Sequence, residues 1–326
     1  MTTDYYANRA LSHSKLSCLA QSPMEFKMRY VDDPPSLPPK ESDAFAMGHA
    51  VHCLALEPEK FEERFVVVAE TLSTRSTAGE IAHWLLDPNN EVMEFPWVCR
   101  PEGMERRTKA GQDEYNQWAQ SCERSGLTIV DRADIDKAQK YVKLVKGKTV
   151  LDWQDHQDAI ACVQALNNHA EFATIMAQPK RVEVPFEFDL FGHRFKAKPD
   201  AIIDSMKLIV DIKTTDDASH KWLYSAKDLG YHRQAWIYRH ALSLETGVDY
   251  NFIFAVVEKP KPSTRGIPPR VALHRVAGIS FERGKEHTRD LVEEYEKRLE
   301  RGDWIEKLGK KINDTVFLTP TYEVYE

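Results

Sequence analysis

Residues 198–215 read KPDAIIDSMKLIVDIKTT. The apolar runs at 201–203 and 208–212 predict two short strands joined by a turn at 204–207. Folding about that turn brings Asp200, at the start of the first strand, close to Asp211, at the end of the second. Residues two apart in a strand share a face, so Asp211 and Lys213 point the same way across Ile212. Two carboxylates and one ammonium then converge at one end of a sheet, walled by apolar residues. Carboxylate oxygens are hard ligands suited to Mg2+ or Mn2+. An ion held there would lower the pKa of a bound water and neutralise charge developing on a phosphate. The lysine would orient the attacking water, or help deprotonate it were its own pKa depressed. A lone D-x-K is more often a surface ion pair. The Pro-Asp placed before it at a two-strand spacing is what turns the reading toward phosphodiester hydrolysis.

Working outward, residues 182–188 (VEVPFEF) and 193–197 (HRFKA) flank turn residues 189–192 and predict a hairpin. Downstream, a helix follows Gly230 over 231–244, then an apolar strand at 252–257 (FIFAVV), a strand near 271–275 and a long charged helix over 281–301. The chain before 180 reads mostly as helix. A first helix covers 11–30, capped by Ser12 or Ser14 and ended by the prolines of DDPPSLPPKES. Residues 45–56 (FAMGHAVHCLAL) make another, followed by a strand at 64–69. An irregular stretch runs from about 70 to 112, with helices after it at 113–125, 131–146 and 155–176. Helices first, then strands with helices packed on them, predict an α/β core with a helical N-terminal elaboration. The chain is expected to form one domain, 1–326. Its parts are a mainly helical section (1–180) that contributes His52, a sheet core (181–280), and a C-terminal helix and tail (281–326).

Composition sets outer limits. The 326 residues, 42% apolar and 29% charged, describe an ordinary globular chain. No run approaches the roughly 18 apolar residues of a membrane span. The start, MTTDYYANRALSHSK, lacks the pattern of a secretory leader, so a cytoplasmic protein without a membrane partner is expected. Cys18, Cys53, Cys99, Cys122 and Cys162 are scattered with no CxxC pair, against a zinc ribbon, a four-cysteine iron–sulfur cluster or a disulfide framework. The net charge of −7 argues against a protein coated in positive charge, but leaves room for a local basic groove. Basic residues cluster at Arg100, Arg106, Arg107 and Lys109, at Lys140, Lys143, Lys146 and Lys148, and at Lys259, Lys261, Arg265, Arg270 and Arg275. Each cluster, taken alone, is more often a solvated face than a DNA track. Arg106, Arg107, Lys109, Lys140, Lys143 and Lys146 are the candidate DNA contacts.

Pro199-Asp200 followed by Asp211-Ile212-Lys213 resembles the PD-(D/E)xK nuclease signature. Two flanking motifs resemble those of its RecB-like branch. Gly48-His49-Ala50-Val51-His52 is similar to G-x-x-x-H, and Gln234-Ala235-Trp236-Ile237-Tyr238 to Q-x-x-x-Y, in the expected order over residues 45–240. The resemblance implies a restriction-endonuclease-like core, a central mixed sheet flanked by helices. It implies that His52 and Asp200 ligate metal, that Asp211 does so alongside the carbonyl of Ile212, and that Lys213 positions the nucleophilic water. Gln234 and Tyr238 would brace the site or touch the DNA backbone. Taken alone, His52 would be a core histidine with His49 equally the polar one, and Gln234 and Tyr238 a packing pair four apart on a helix. Glu183 or Glu187 would add a further carboxylate, and the sequence does not choose between them.

The stretches GHAVHCLALEPEKFEERFVV, RRTKAGQDEYNQWAQ and DIKTT resemble the RecE (exonuclease VIII) type of phage and prophage recombination exonucleases. That implies digestion of double-stranded DNA from its ends, 5′ to 3′, leaving 3′ single-stranded tails for an annealing recombinase. It also implies two Mg2+ ions, with Mn2+ able to substitute, and a ring-shaped homo-oligomer of three or four chains. The four-cysteine run of CRISPR-associated and helicase-linked relatives is missing, so no iron–sulfur cluster is expected. Three other readings compete. A structure- or sequence-specific endonuclease would use the same core, but nothing resembles a target-recognition domain. A catalytically inactive DNA-binding or assembly protein would not need the complete set of reacting groups. A zinc hydrolase on His49 and His52 lacks both i, i+4 spacing and an obvious third ligand.

Overall fold

The structure is a computed structural model that describes residues 10–37, 43–68, 75–87, 90, 93, 95–99, 101 and 109–305. The chain divides into two compact units, one made of Met1–Glu59 with Gln157–Glu326 and the other of Lys60–His156.

A five-stranded sheet organises the first unit, in the order Val271–Arg275, Asn251–Glu258, Leu208–Thr215, Ala201–Ile203, Arg181–Val182. Asn251–Glu258 runs parallel to Leu208–Thr215 and antiparallel to Val271–Arg275, so the sheet is mixed. FIFAVV and LIVDI read as continuous runs because their residues are buried on both faces of the sheet. The strand pair around the two aspartates forms as the spacing predicts. Ala201 pairs with Val210 and Ile203 with Leu208, and a 3-10 turn at Asp204–Met206 closes on Lys207.

A parallel pair needs a crossover, and the helix Tyr231–Thr246 supplies it. The long helix Gly278–Arg301 packs across that helix at Gly284. A Cβ there would lie 2.3 Å from the His232 carbonyl oxygen and 2.8 Å from Trp236 Cβ. Gly284→Ala is therefore expected to cost ~1–3 kcal/mol by forcing the helices apart, read as a fall in the thermal midpoint. An unchanged midpoint would mean that the crossing tolerates a wider gap.

Several boundaries differ from the sequence expectation. The helix expected over 11–30 breaks at Ser22-Pro23, because proline lacks an N–H and fits only at the start of a new helix. Ser22 ends His13–Gln21 and caps Pro23–Phe26, and a π-helical turn, Lys27–Val31, follows. Ser12, rather than Ser14, caps the first helix, accepting from the Lys15 N–H at 3.3 Å. The hairpin is Phe186–Leu190 with His193–Ala197, turning at Phe191 and Gly192, both at positive φ as a two-residue turn requires. Arg181–Val182 is not part of it and pairs instead with Ala201–Ile203.

In the second unit, the helices Thr77–Leu86 and Arg132–Val145 pack through Ile81, Ala82, Ile135 and Ala138. Two short parallel ladders accompany them, Phe65–Val68 with Thr149–Asp152 and Trp97–Cys99 with Thr128–Val130. Thr77–Leu86 falls inside the stretch expected to be irregular. Ser76 caps it, accepting from the Gly79 N–H at 3.1 Å. The helix expected over 155–176 is split into Trp153–Asn168 and Ala170–Met176. Ala69, at the end of the expected strand 64–69, and the tail beyond 305 lie outside the described residues. No described helix is long and apolar enough to cross a membrane.

Candidate functional site

One step beyond the Ala201–Val210 pair, the antiparallel register sets Asp200 against Asp211. Both are buried, at 6% and 1% exposure, and the Ile212 N–H donates to Asp200 Oδ2 at 2.7 Å. His52 arrives on the helix Asp43–Leu56. Gly48, one turn earlier on the same face, lies against the strand Leu208–Thr215, where a Cβ would make ordinary contact with Thr214 Oγ1 at 3.4 Å. His52 Nδ1 comes 3.2 Å from Asp200 Oδ2. His49 is exposed, so His52 is the histidine turned to the carboxylates.

The structure also separates the two glutamates. Glu187 sits on the exposed face of the hairpin and pairs with Arg194 at 3.3 Å. Glu183 follows the edge strand at φ 53°, its N–H donates to the Asp200 carbonyl at 3.1 Å, and its carboxylate pairs with Lys198. Ligand atoms of His52, Glu183 and Asp200 lie within 4.8 Å of one another.

The helix Tyr231–Thr246 covers the sheet face carrying Asp211 and Lys213. Three helix residues advance about 4.5 Å, and two strand residues about 6.6 Å, so the two elements stay roughly in step. Tyr231 meets Lys213, with Nζ 5.0 Å from its ring. Gln234 Nε2 donates to Asp211 Oδ1 at 2.7 Å. Tyr238, a turn further on, packs beside Phe252 at 6.4 Å between ring centres. Gln234 thus braces the carboxylate, whereas Tyr238 lies among core residues. Lys213 Nζ pairs with Asp211 Oδ2.

Burial pushes the Asp211 carboxyl up to about 7 against the pull of Lys213, with Asp200 adding to the rise. Burial, then Asp200, also raises Glu183. Burial opposes ionisation of Asp200, but His52, Lys213 and the Ile212 N–H outweigh it and hold Asp200 below its ordinary value. Burial likewise disfavours charge on Lys213, yet Asp211, Tyr231 and Asp200 keep its ammonium above the usual lysine value. Two of three neighbouring carboxylates pushed toward the protonated form mark a buried surplus of negative charge. Oxygen donors with one imidazole and such a surplus fit a divalent cation.

The basic clusters fare differently. Lys109, Lys140, Lys143 and Lys146 are exposed and belong to the second unit, whereas the carboxylates belong to the first. Arg100, Arg106 and Arg107 lie outside the described residues. The cluster at 259–275 is tied to acids. Lys259 pairs with Asp216 at 2.8 Å, Lys261 with Glu258 at 3.5 Å, Arg265 with Asp158 at 3.2 Å, Arg270 with Glu258 at 2.6 Å, and Arg275 with Glu171.

The profile of a protein family described as a PDDEXK-like domain of unknown function, DUF3799, matches residues 12–268. No protein of curated function matches the chain in sequence. Among solved structures, one from Eubacterium rectale, provisionally named an exonuclease, is 14% identical with a TM-score of 0.53, over 94% of this chain and 88% of that one. A phage-related exonuclease from Haemophilus somnus 129PT is 16% identical with a TM-score of 0.30, over 44% of this chain and 74% of that one. The first likeness is one of fold, a mixed sheet flanked by helices.

Proposed function

The chain belongs to the PDDEXK-like family DUF3799, and from that membership we propose that it is a Mg2+-dependent exonuclease digesting linear double-stranded DNA from its ends. The convergence of His52, Glu183 and Asp200 beside the Asp211–Lys213 pair carries the reading. These three side chains would hold the metal, with Asp211 adjoining them. The N–H and C=O of one strand residue face the same neighbour. Because the Ile212 N–H turns to Asp200, its carbonyl faces that side too and would serve as a further ligand. Two Mg2+ ions held there, or Mn2+ in their place, would supply an ionised water and offset charge on the phosphate and the leaving oxygen. Lys213, paired with Asp211, would orient the attacking water and offset phosphate charge. Gln234 fixes the Asp211 carboxylate, and the buried Ile212 and Phe254 keep bulk water away.

The finer features come from the resemblance to RecE-type exonucleases. They are 5′ to 3′ polarity, 3′ tails passed to a single-strand annealing recombinase, a ring of three or four chains, and a cytoplasmic setting. Arg106, Arg107, Lys109, Lys140, Lys143 and Lys146 are proposed to contact phosphates. A ring that threads a duplex starts only at a free end. A linear duplex should therefore lose its 5′ labels first, while the same DNA as a sealed circle stays intact. Rapid nicking of the circle would replace the exonuclease with an endonuclease, and earlier loss of 3′ labels would reverse the polarity.

The raised Asp211 pKa gives metal uptake a pH dependence of definite sign. Up to about pH 7 the folded metal-free chain keeps a proton on Asp211 that a cation must displace. Apparent Mn2+ affinity should fall by at least about tenfold per pH unit below 7, because His52, whose pKa burial lowers but Asp200 raises to above its ordinary value, must also give up a proton to ligate. In the metal-free fold, stability from the protonated Asp211 is present in acid. It is lost as pH rises from the unfolded value near ~4 through about 7. Mn2+ titrations at several pH values check the uptake, and an affinity constant from pH 5 to 8 would indicate that Asp211 titrates as an ordinary carboxylate.

A further inference from the structure

Tyr231 opens the helix Tyr231–Thr246, three residues before Gln234, and the sequence motifs give it no role. Its ring lies 5.0 Å from Lys213 Nζ, and the Phe254 ring lies 5.9 Å from the same atom. Phe254 stacks on Tyr231 at 5.4 Å and Trp222 backs it at 5.8 Å. Trp222 and Phe254 also touch each other at 5.7 Å, so Tyr231 belongs to a three-ring cluster that leaves it little freedom to swing, and its π face helps fix the ammonium.

The hydroxyl is placed differently. Tyr231 is half-buried, and among the described residues its hydroxyl makes no hydrogen bond. By contrast, the Tyr250 hydroxyl donates to Asp204 at 2.8 Å. Burial raises the Tyr231 pKa, and the two charges that act on it are those of Lys213 and Asp211. The ring's contact with Lys213 Nζ, which itself pairs with Asp211, sets the phenol beside that pair.

We propose that the Tyr231 hydroxyl is a substrate contact, donating a hydrogen bond to a non-bridging oxygen of the DNA phosphate at Lys213 while its ring steadies Lys213. The inference rests on the nuclease reading above and adds to it the residue that grips the phosphate. A hydroxyl donating to an anionic oxygen makes a charge-assisted bond. Unlike a further cation, a neutral phenol adds this grip without drawing Asp200 and Asp211 away from the metal.

Tyr231→Phe removes the hydroxyl and keeps the ring, and Tyr231→Leu removes both. The readouts are kcat and KM on linear duplex in Mg2+, with the Mg2+-induced rise in thermal midpoint as a control on fold and metal centre. For Tyr231→Phe, KM should rise by about tenfold, with kcat within about twofold of wild type and the Mg2+ response unchanged. Tyr231→Leu should show the same KM defect and lose about tenfold or more in kcat as Lys213 loses its platform. A Tyr231→Phe variant with the wild-type KM overturns the proposal while the wild-type chain still cuts. So does a Tyr231→Phe variant that loses the Mg2+ response, because the hydroxyl would then serve the metal centre. A wild-type chain inert toward duplex DNA overturns the nuclease reading and this inference with it.

Discussion

Asp200→Ala is expected to abolish Mg2+-dependent degradation of a linear duplex, lowering the rate at least ~1000-fold, on the order of 4 kcal/mol of barrier. The same variant should lose the stabilisation that Mg2+ gives the wild-type chain, which is ~2.7 kcal/mol at one hundred times the dissociation constant. Asp200 is the point where His52, Glu183 and the Ile212 N–H meet, so no neighbour replaces its oxygen. It also accepts a buried backbone N–H, and alanine leaves that donor without its acceptor. The metal-free variant should therefore be less stable than wild type by ~1–3 kcal/mol. Asp200→Asn keeps an acceptor for Ile212 and separates the loss of charge from the loss of fold. Calorimetry with and without Mg2+ and a duplex-degradation assay check both parts. Clear Mg2+-dependent degradation by the alanine variant would remove Asp200 from the metal centre.

Lys213→Ala should fold, take up metal and bind duplex ends, yet cut at least ~100-fold more slowly, the scale for losing a positioned electrostatic group. Lys213 is 17% exposed as a side chain, paired with Asp211 and enclosed by Tyr231 and Phe254. Its partners hold the ammonium above the ordinary lysine value in the metal-free chain, which suits it to act as a positioned positive charge. Lys213→Arg keeps that charge, but the planar guanidinium differs in shape and does not place its donors where a single ammonium does. Poor recovery by arginine under single-turnover conditions is the expected result. Near-wild-type rates with arginine would reduce Lys213 to a charge of unspecific geometry.

The core of the site is legible in the sequence because it depends on local periodicity. Strand alternation places Asp211 and Lys213 on one face, and the four-residue turn at 204–207 places Asp200 opposite Asp211. Gln234 is legible only with the helix that carries it, since its partner Asp211 lies on another element. The choice between Glu183 and Glu187 depends on where the chain leaves the sheet for the hairpin. That point is a backbone turn at φ 53° with Pro185 soon after, and apolar alternation does not mark it. Tyr238 shares a helix face with Gln234, but four more residues carry it about 6 Å along the sheet to Phe252. Tyr231 reads as an ordinary core aromatic until Lys213 is seen beneath it. The short ladders of the second unit pair residues far apart, Phe65 with Thr149 and Trp97 with Thr128, so no local window holds their signal.

A linear duplex incubated with the purified chain, in Mg2+ and in EDTA, tests the central claim most directly. The geometry of His52, Glu183, Asp200, Asp211 and Lys213 predicts progressive loss of the duplex in Mg2+ and an intact duplex in EDTA. A duplex that survives in Mg2+, or that is lost equally in EDTA, would contradict a metal-dependent nuclease centre at this site.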